Sequence, residues 1–112
     1  MSEGEETERG DLFRVAPLGS GHEVAGPHYA VVVSDTPYNR LSTAVVVPFS
    51  SRVPAASFRP ETVIKGRQTR ALVEQVGAID RRLLRERLGN LAGSAIMAAI
   101  DEQLKYFLGL DH

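Results

Sequence analysis

Two β-branched runs set the terms for any fold of this chain: "YAVVVS" at 29–34 and "TAVVVPF" at 43–49. Branched side chains are stiff at χ1 and pack well on a pleated surface, so both runs predict strands. Neither alternates with polar residues, so both are expected in the middle of a sheet or covered on both faces. Between them, "DTPYNRLS" holds Pro, Asn, Asp and Ser and predicts a turn or a single helical turn.

The flanking segments are weaker versions of the same theme. "GDLFRVAP" predicts a short strand ended by Pro17. "SSRVPAAS" reads as a flexible loop. "FRPETVIKG" predicts an edge strand, because Pro60 cannot donate to a ladder. "RALVEQVGAI" predicts a further strand with a break at Gly77, and "DRRLLRERL" a short helical turn capped by Asp80, with "GNL" as a break after it. Only the last segment has a clear helical period. In "SAIMAAIDEQLKYFLGL", Ile96, Ile100, Leu104, Phe107 and Leu108 share one face, Ser94 can cap the start and Gly109 can end it. Met97 and Phe107 are expected in the core.

Strands first and one helix last predict an α+β fold, mainly β: a small curled, barrel-like sheet with a C-terminal helix packed on it. A length of 112 residues fits one domain, taken as 9–112. Residues 1–8, "MSEGEETE", have no large apolar side chain beyond Met1 and are expected to form a disordered acidic tail. Without that tail the chain holds 13 basic and 10 acidic side chains, and 11 of the basic ones are Arg. That balance hints at an anionic partner. The apolar runs are far shorter than the roughly 20 residues of a membrane span, so a soluble, cytoplasmic protein is expected.

Several chemistries fall away. Cysteine is absent, which removes disulfides, thiolate metal sites and cysteine nucleophiles together. His22 and His28 are six apart and lack the converging partners that zinc needs, so no metal and no other cofactor is expected. "GSGHEVAG" resembles a phosphate cradle but lacks the Lys-Ser/Thr ending and precedes a strand instead of a helix. No "GxSxG" elbow is present. What survives is His28 at a loop–strand junction, opposite "PFSSR" with its hydroxyls and Arg52. Such a set suits phosphodiester chemistry, with one group moving a proton and a cation holding phosphorane charge. From the residues alone, His28 reads more readily as an ordinary half-exposed loop residue.

The order of motifs resembles the MazF/PemK toxin endoribonucleases. "RGDLFRV" is similar to that family's RGD-aromatic opening strand, and "GHEVAGPHYAVVVSDTPYN" to its loop and second strand. "VVVPFSSR" resembles its third strand, "ALVEQVGAID" its "QvrtiD" segment, and "IDEQLKYFLGL" its closing helix. The resemblance spans about residues 9 to 110 and rests on the ordered set of five. It implies a small SH3-like barrel of the CcdB/MazF type with a C-terminal helix, acting as a homodimer. It also implies metal-independent cleavage of single-stranded RNA, messenger RNA included, by 2′-hydroxyl attack to a cyclic phosphate. The implied protein partner is a cognate antitoxin that blocks the RNA groove.

Carried over residue by residue, the resemblance places catalysis on His28, Ser50 and Arg52, and substrate binding on His22, Glu23, Ser51 and Gln75. Two departures stand out. The family's loop-end Arg falls on His28, and the Arg of "QvRtiD" falls on Gly77. A guanidinium offers fixed charge and paired donors, whereas an imidazole loses the fork but titrates in a useful range. Retained activity with His28 as acid or base is expected. A silent or weakened RNA-binding relative is the alternative. A CcdB-like gyrase inhibitor fits less well, because "LGLDH" lacks the terminal aromatic expected there. Glu23 suits either a contact to His28 or a base, or a loop-stabilising acceptor; Gln75 suits a base edge or a strand end. Arg9, Asp11 and Asp80 read as structural.

Overall fold

A computed structural model describes residues 6–16 and 28–110. The strands are β1 (Asp11–Val15), β2 (His28–Val32), β3 (Thr43–Ser50), β4 (Glu61–Ile64), β5 (Arg67–Ala71), β6 (Gly77–Asp80) and β7 (Leu84–Asn90), followed by helix α1 (Ala95–Phe107). They form one curled antiparallel sheet in the order β4-β5-β3-β2-β1-β7, with β6 also paired to β3. Both β-branched runs are central, as expected. Ala30, Val31 and Val32 of β2 are wholly buried.

Side-chain alternation sends the two faces of β2 and β3 into two clusters. Leu12, Val31, Val47 and Phe49 pack with Met97, Ile100 and Leu104 of α1 on one side. Phe13, Val15, Ala30, Val32, Ala44, Val46 and Leu84 fill the inside of the curl on the other. Between β2 and β3, residues Thr36–Arg40 make one 3-10 turn. Buried Asn39 ties that turn down by donating to the Ser34 carbonyl at 3.0 Å.

The opening "RGD" is a structural lock. Arg9 makes a two-pronged bond to Asp101 of α1, at 2.7 and 3.3 Å. Gly10 has φ +93°, and a Cβ there would lie 3.0 Å from the Ala92 nitrogen, so only glycine fits without adjustment. Asp11 is fully buried. Its carboxylate accepts from the Glu8 backbone, Arg87 Nε and Asn90 Nδ2, all within 3.0 Å.

Four expectations need correction. "RALVEQVGAI" is not one strand: β5 ends at Ala71, Val73–Gln75 form a 3-10 turn, and Gly77 opens β6 instead of breaking a strand. "DRRLLRERL" is helical only over Arg81–Leu83. Asp80 does cap that turn, accepting from the Arg82 N–H, but the chain then runs straight into β7, and "GN" completes that strand. β7 pairs with β1 through two register shifts, which scramble its in–out alternation. Along α1, Met97, Ile100 and Leu104 are core, whereas Phe107 and Leu108 are about half exposed and outside the core cluster. Ser94 caps α1 through the Met97 N–H at 3.2 Å, and Gly109 ends it at φ +71°. Among the described residues, no helix is long and apolar enough to cross a membrane.

Candidate functional site

β2 begins at His28 and β3 ends at Ser50, and their register brings the two together. Tyr29 faces Phe49, Ala30 faces Pro48, and one more step sets His28 level with Ser50. Ser50 in turn faces Arg70 of β5. Three polar side chains thus stand in a row across neighbouring strands, roughly 4.8 Å apart per strand. Alternation places His28 on the face shared with Ala30 and Val32, at the rim of the curl, where it is half-buried.

Beyond Ser50 the chain turns sharply. Ser50 Oγ accepts from the Arg52 backbone N–H at 3.1 Å, a local side-chain turn. That bond occupies a lone pair and leaves the hydroxyl proton free to donate to an incoming oxygen. Ser51 and Arg52 are exposed, and the Arg52 guanidinium has no partner among the described residues. Arg70 is held differently. It donates to Glu61 Oε2 at 2.8 Å and to the Val53 carbonyl at 2.9 Å, so it pins the loop after Ser50 to the sheet.

A second clamp holds the far end of the same loop. Arg59 donates twice to Glu74 Oε2, at 3.1 and 2.7 Å, and once to the Pro54 carbonyl at 3.0 Å. Its guanidinium also lies over the Phe58 ring, 5.1 Å from the centroid. Burial would raise the Glu74 carboxyl, but the Arg59 hydrogen bonds, the local backbone N–H and the Arg59 charge together hold it below its ordinary value. Gln75 follows on the exposed side of that 3-10 turn. It sits on the connection between β5 and β6, both of which border β3.

Gly77 faces Val46 on the same sheet face as His28, four residues along β3 from Ser50. A Cβ there would meet nothing nearer than 3.9 Å, so the position has room for a side chain it does not carry.

The structure therefore gathers His28, Ser50, Ser51 and Arg52 at one corner and keeps Gln75 across β3 from them. His22 and Glu23 lie outside the described residues. Arg70 and the Arg59–Glu74 pair were not singled out in the sequence, since only strand register and loop closure bring them to this corner. Among the described residues, no three His, Asp or Glu side chains converge as metal ligands do. Chemically, the corner offers an imidazole, a hydroxyl donor and a loose guanidinium. That set can accept a proton, bond a phosphate oxygen and offset negative charge.

The PemK-like, MazF-like toxins of type II toxin-antitoxin systems match this chain over residues 8–108. The chain belongs to that family. One relative, a candidate toxin of Mycobacterium tuberculosis, is 41% identical over 75 residues, covering 63% of this chain and 68% of its own. The solved MazF of Deinococcus radiodurans superposes with a TM-score of 0.75 at 25% identity, over 94% of this chain and 98% of its own. A mycobacterial endoribonuclease solved with its cognate antitoxin has the same fold, with a TM-score of 0.74 at 20% identity over 94% and 97% of the two chains. The MazF-like fold expected from the sequence is the one observed: a mainly-β curled half-barrel with one C-terminal helix.

Proposed function

We propose that this MazF-like chain is the toxin of a toxin-antitoxin pair and cleaves single-stranded RNA in the cytoplasm without a metal. The observation that carries the reading is His28 standing level with Ser50 at the sheet rim, with exposed Arg52, unpaired among the described residues, two residues beyond. In this reading the RNA 2′-hydroxyl attacks its own 3′-phosphorus, and His28 takes the hydroxyl proton. Ser50 and Arg52 hold the phosphorane oxygens. The bond from phosphorus to the 5′-oxygen breaks, and that oxygen takes a proton, leaving a 2′,3′-cyclic phosphate and a 5′-hydroxyl. Ser51 and Gln75, with His22 and Glu23 of the preceding loop, contact the bases.

Homodimerisation and capture by an antitoxin belong to the same reading. They are supported by the exposed apolar group Tyr106, Phe107, Leu108 and Leu110 at the end of α1. Cleavage of a long mixed RNA in EDTA, with 5′ ends mapped, should give cyclic-phosphate products. His28→Ala should abolish it. Intact RNA at every pH, with RNA still bound, would instead identify a silent binding relative.

A further inference from the structure

A second basic surface lies on the other side of β1 from His28. Val15 pairs with His28 on one flank and with Leu84 on the other. Leu84 lines an open groove of about 780 Å³ whose charged walls are Arg14, Arg81, Arg82, Arg85, Asp80 and Glu86. Four guanidinium groups against two carboxylates leave a surplus of two positive charges there. Arg82 is paired with Asp80 at 2.8 Å and Arg14 with Glu86 at 3.4 Å. Among the described residues, the other two pair with no carboxylate. Arg81 there donates to neutral oxygens, the Leu41 carbonyl at 3.2 Å and Thr7 Oγ1 at 3.4 Å, and its buried Nε meets no acceptor among them. Arg85 is exposed and has no side-chain partner among the described residues.

The acidic N-terminal segment enters the structure at the wall of this groove. Glu6 pairs with Arg40 at 3.1 Å, and buried Thr7 receives the Arg81 bond. Arg81 in turn is fixed by its backbone N–H to the Ser42 carbonyl at 2.9 Å. Glu5 and Glu3 precede Thr7 by two and four residues, a reach of up to about 7 and 14 Å in an extended chain. Tethering at that distance gives them an effective concentration on the order of millimolar at the groove.

We propose that residues 1–5 dock in this groove, with the Glu3 and Glu5 carboxylates on Arg81, Arg82 and Arg85. The segment then occupies a basic surface about two strand spacings from His28. Its role as a competitor of RNA rests on the function proposed above; the docking itself does not. Such pairs are partly solvated, so they yield to salt and to a longer polyanion.

A double-mutant cycle on the full chain tests this, using a short fluorescein-labelled oligodeoxythymidine, which lacks the 2′-hydroxyl and cannot be cleaved. At low salt, Glu3→Gln/Glu5→Gln should tighten binding about fivefold. The gain should vanish at high salt and in an Arg82→Ala/Arg85→Ala background. In the NMR spectrum, the Nε–Hε signals of Arg82 and Arg85 should move on Glu3→Gln/Glu5→Gln, while those of Arg52 and Arg67 stay in place. Equal tightening in both backgrounds would mean a bulk charge effect and would overturn docking. So would unmoved Arg82 and Arg85 signals together with weaker binding by the arginine variant, which would give the groove to nucleic acid alone. A protein that cuts no RNA can still give the full cycle, so failure of the catalytic reading is separately visible.

Discussion

Arg59→Ala probes the loop that presents Ser51 and Arg52. The substitution removes two hydrogen bonds to Glu74, one to the Pro54 carbonyl and the cation over Phe58. Both side chains of the ion pair are less than a quarter exposed, at 18% and 24%, so water screens them less than a surface pair. Breaking a fully buried pair costs about 3–5 kcal/mol and losing a charged hydrogen bond about 1.5–3 kcal/mol, so about 2–3 kcal/mol is expected here at neutral pH.

The pH dependence sharpens the test. In the native protein the Glu74 carboxyl sits below its ordinary value of 4.5. Its contribution is therefore complete above that value and fades as pH falls through the lower folded value. In Arg59→Ala the two Arg59 bonds and its charge are gone; the local backbone N–H remains, but burial, the largest influence, outweighs it and pushes the carboxyl up instead. Protonation then favours the folded variant. The gap between the two proteins should shrink as the pH falls from about 7 to about 3. Urea unfolding followed by far-UV circular dichroism at stepped pH measures it. A gap under about 0.5 kcal/mol at neutral pH, or one that holds constant into acid, would refute this account of the clamp.

Asp11→Asn keeps the side chain's size but turns one acceptor into a donor facing converging N–H groups. Thermal unfolding should show a loss of about 2–4 kcal/mol. Gly10→Ala forces a Cβ into a left-handed backbone and against the Ala92 nitrogen, and should cost about 2–4 kcal/mol in the same assay. Gly77→Arg enters open space, so stability should change by no more than about 0.5 kcal/mol. It restores a family guanidinium on the His28 face, and RNA affinity measured by fluorescence anisotropy should rise.

Much of the fold was legible because β-branched runs and a helical stripe are local signals. "YAVVV" and "AVVVPF" could scarcely be anything but buried strands, and Ser94 and Gly109 marked both ends of α1. β7 was not legible. "LRERLGN" consists largely of good helix formers, and the register shifts against β1 erase the alternation that would mark a strand. Phe107 and Leu108 continue the apolar stripe of α1, but a stripe cannot tell which of its residues the core will cover. His28, Ser50 and Arg52 were proposed through a motif, while their adjacency is a matter of register, which the sequence holds only implicitly. Arg70 and the Arg59–Glu74 clamp carry no local signal at all.

The pairing of β1 with β7 joins residue 11 to residue 90, almost the full length of the domain. Loop-closure entropy makes such a contact slow to form, and on the ribosome its second half is synthesised late. Until "LRERLGN" emerges, β1 has an open edge, buried Asp11 lacks Arg87 and Asn90, and Arg9 has no helix to grip. The proposed activity would therefore be withheld for most of the chain's synthesis. Chains cut short in the last third should be harmless, not merely weak, and a plasmid series of truncations scored by colony growth would show that as a step instead of a slope.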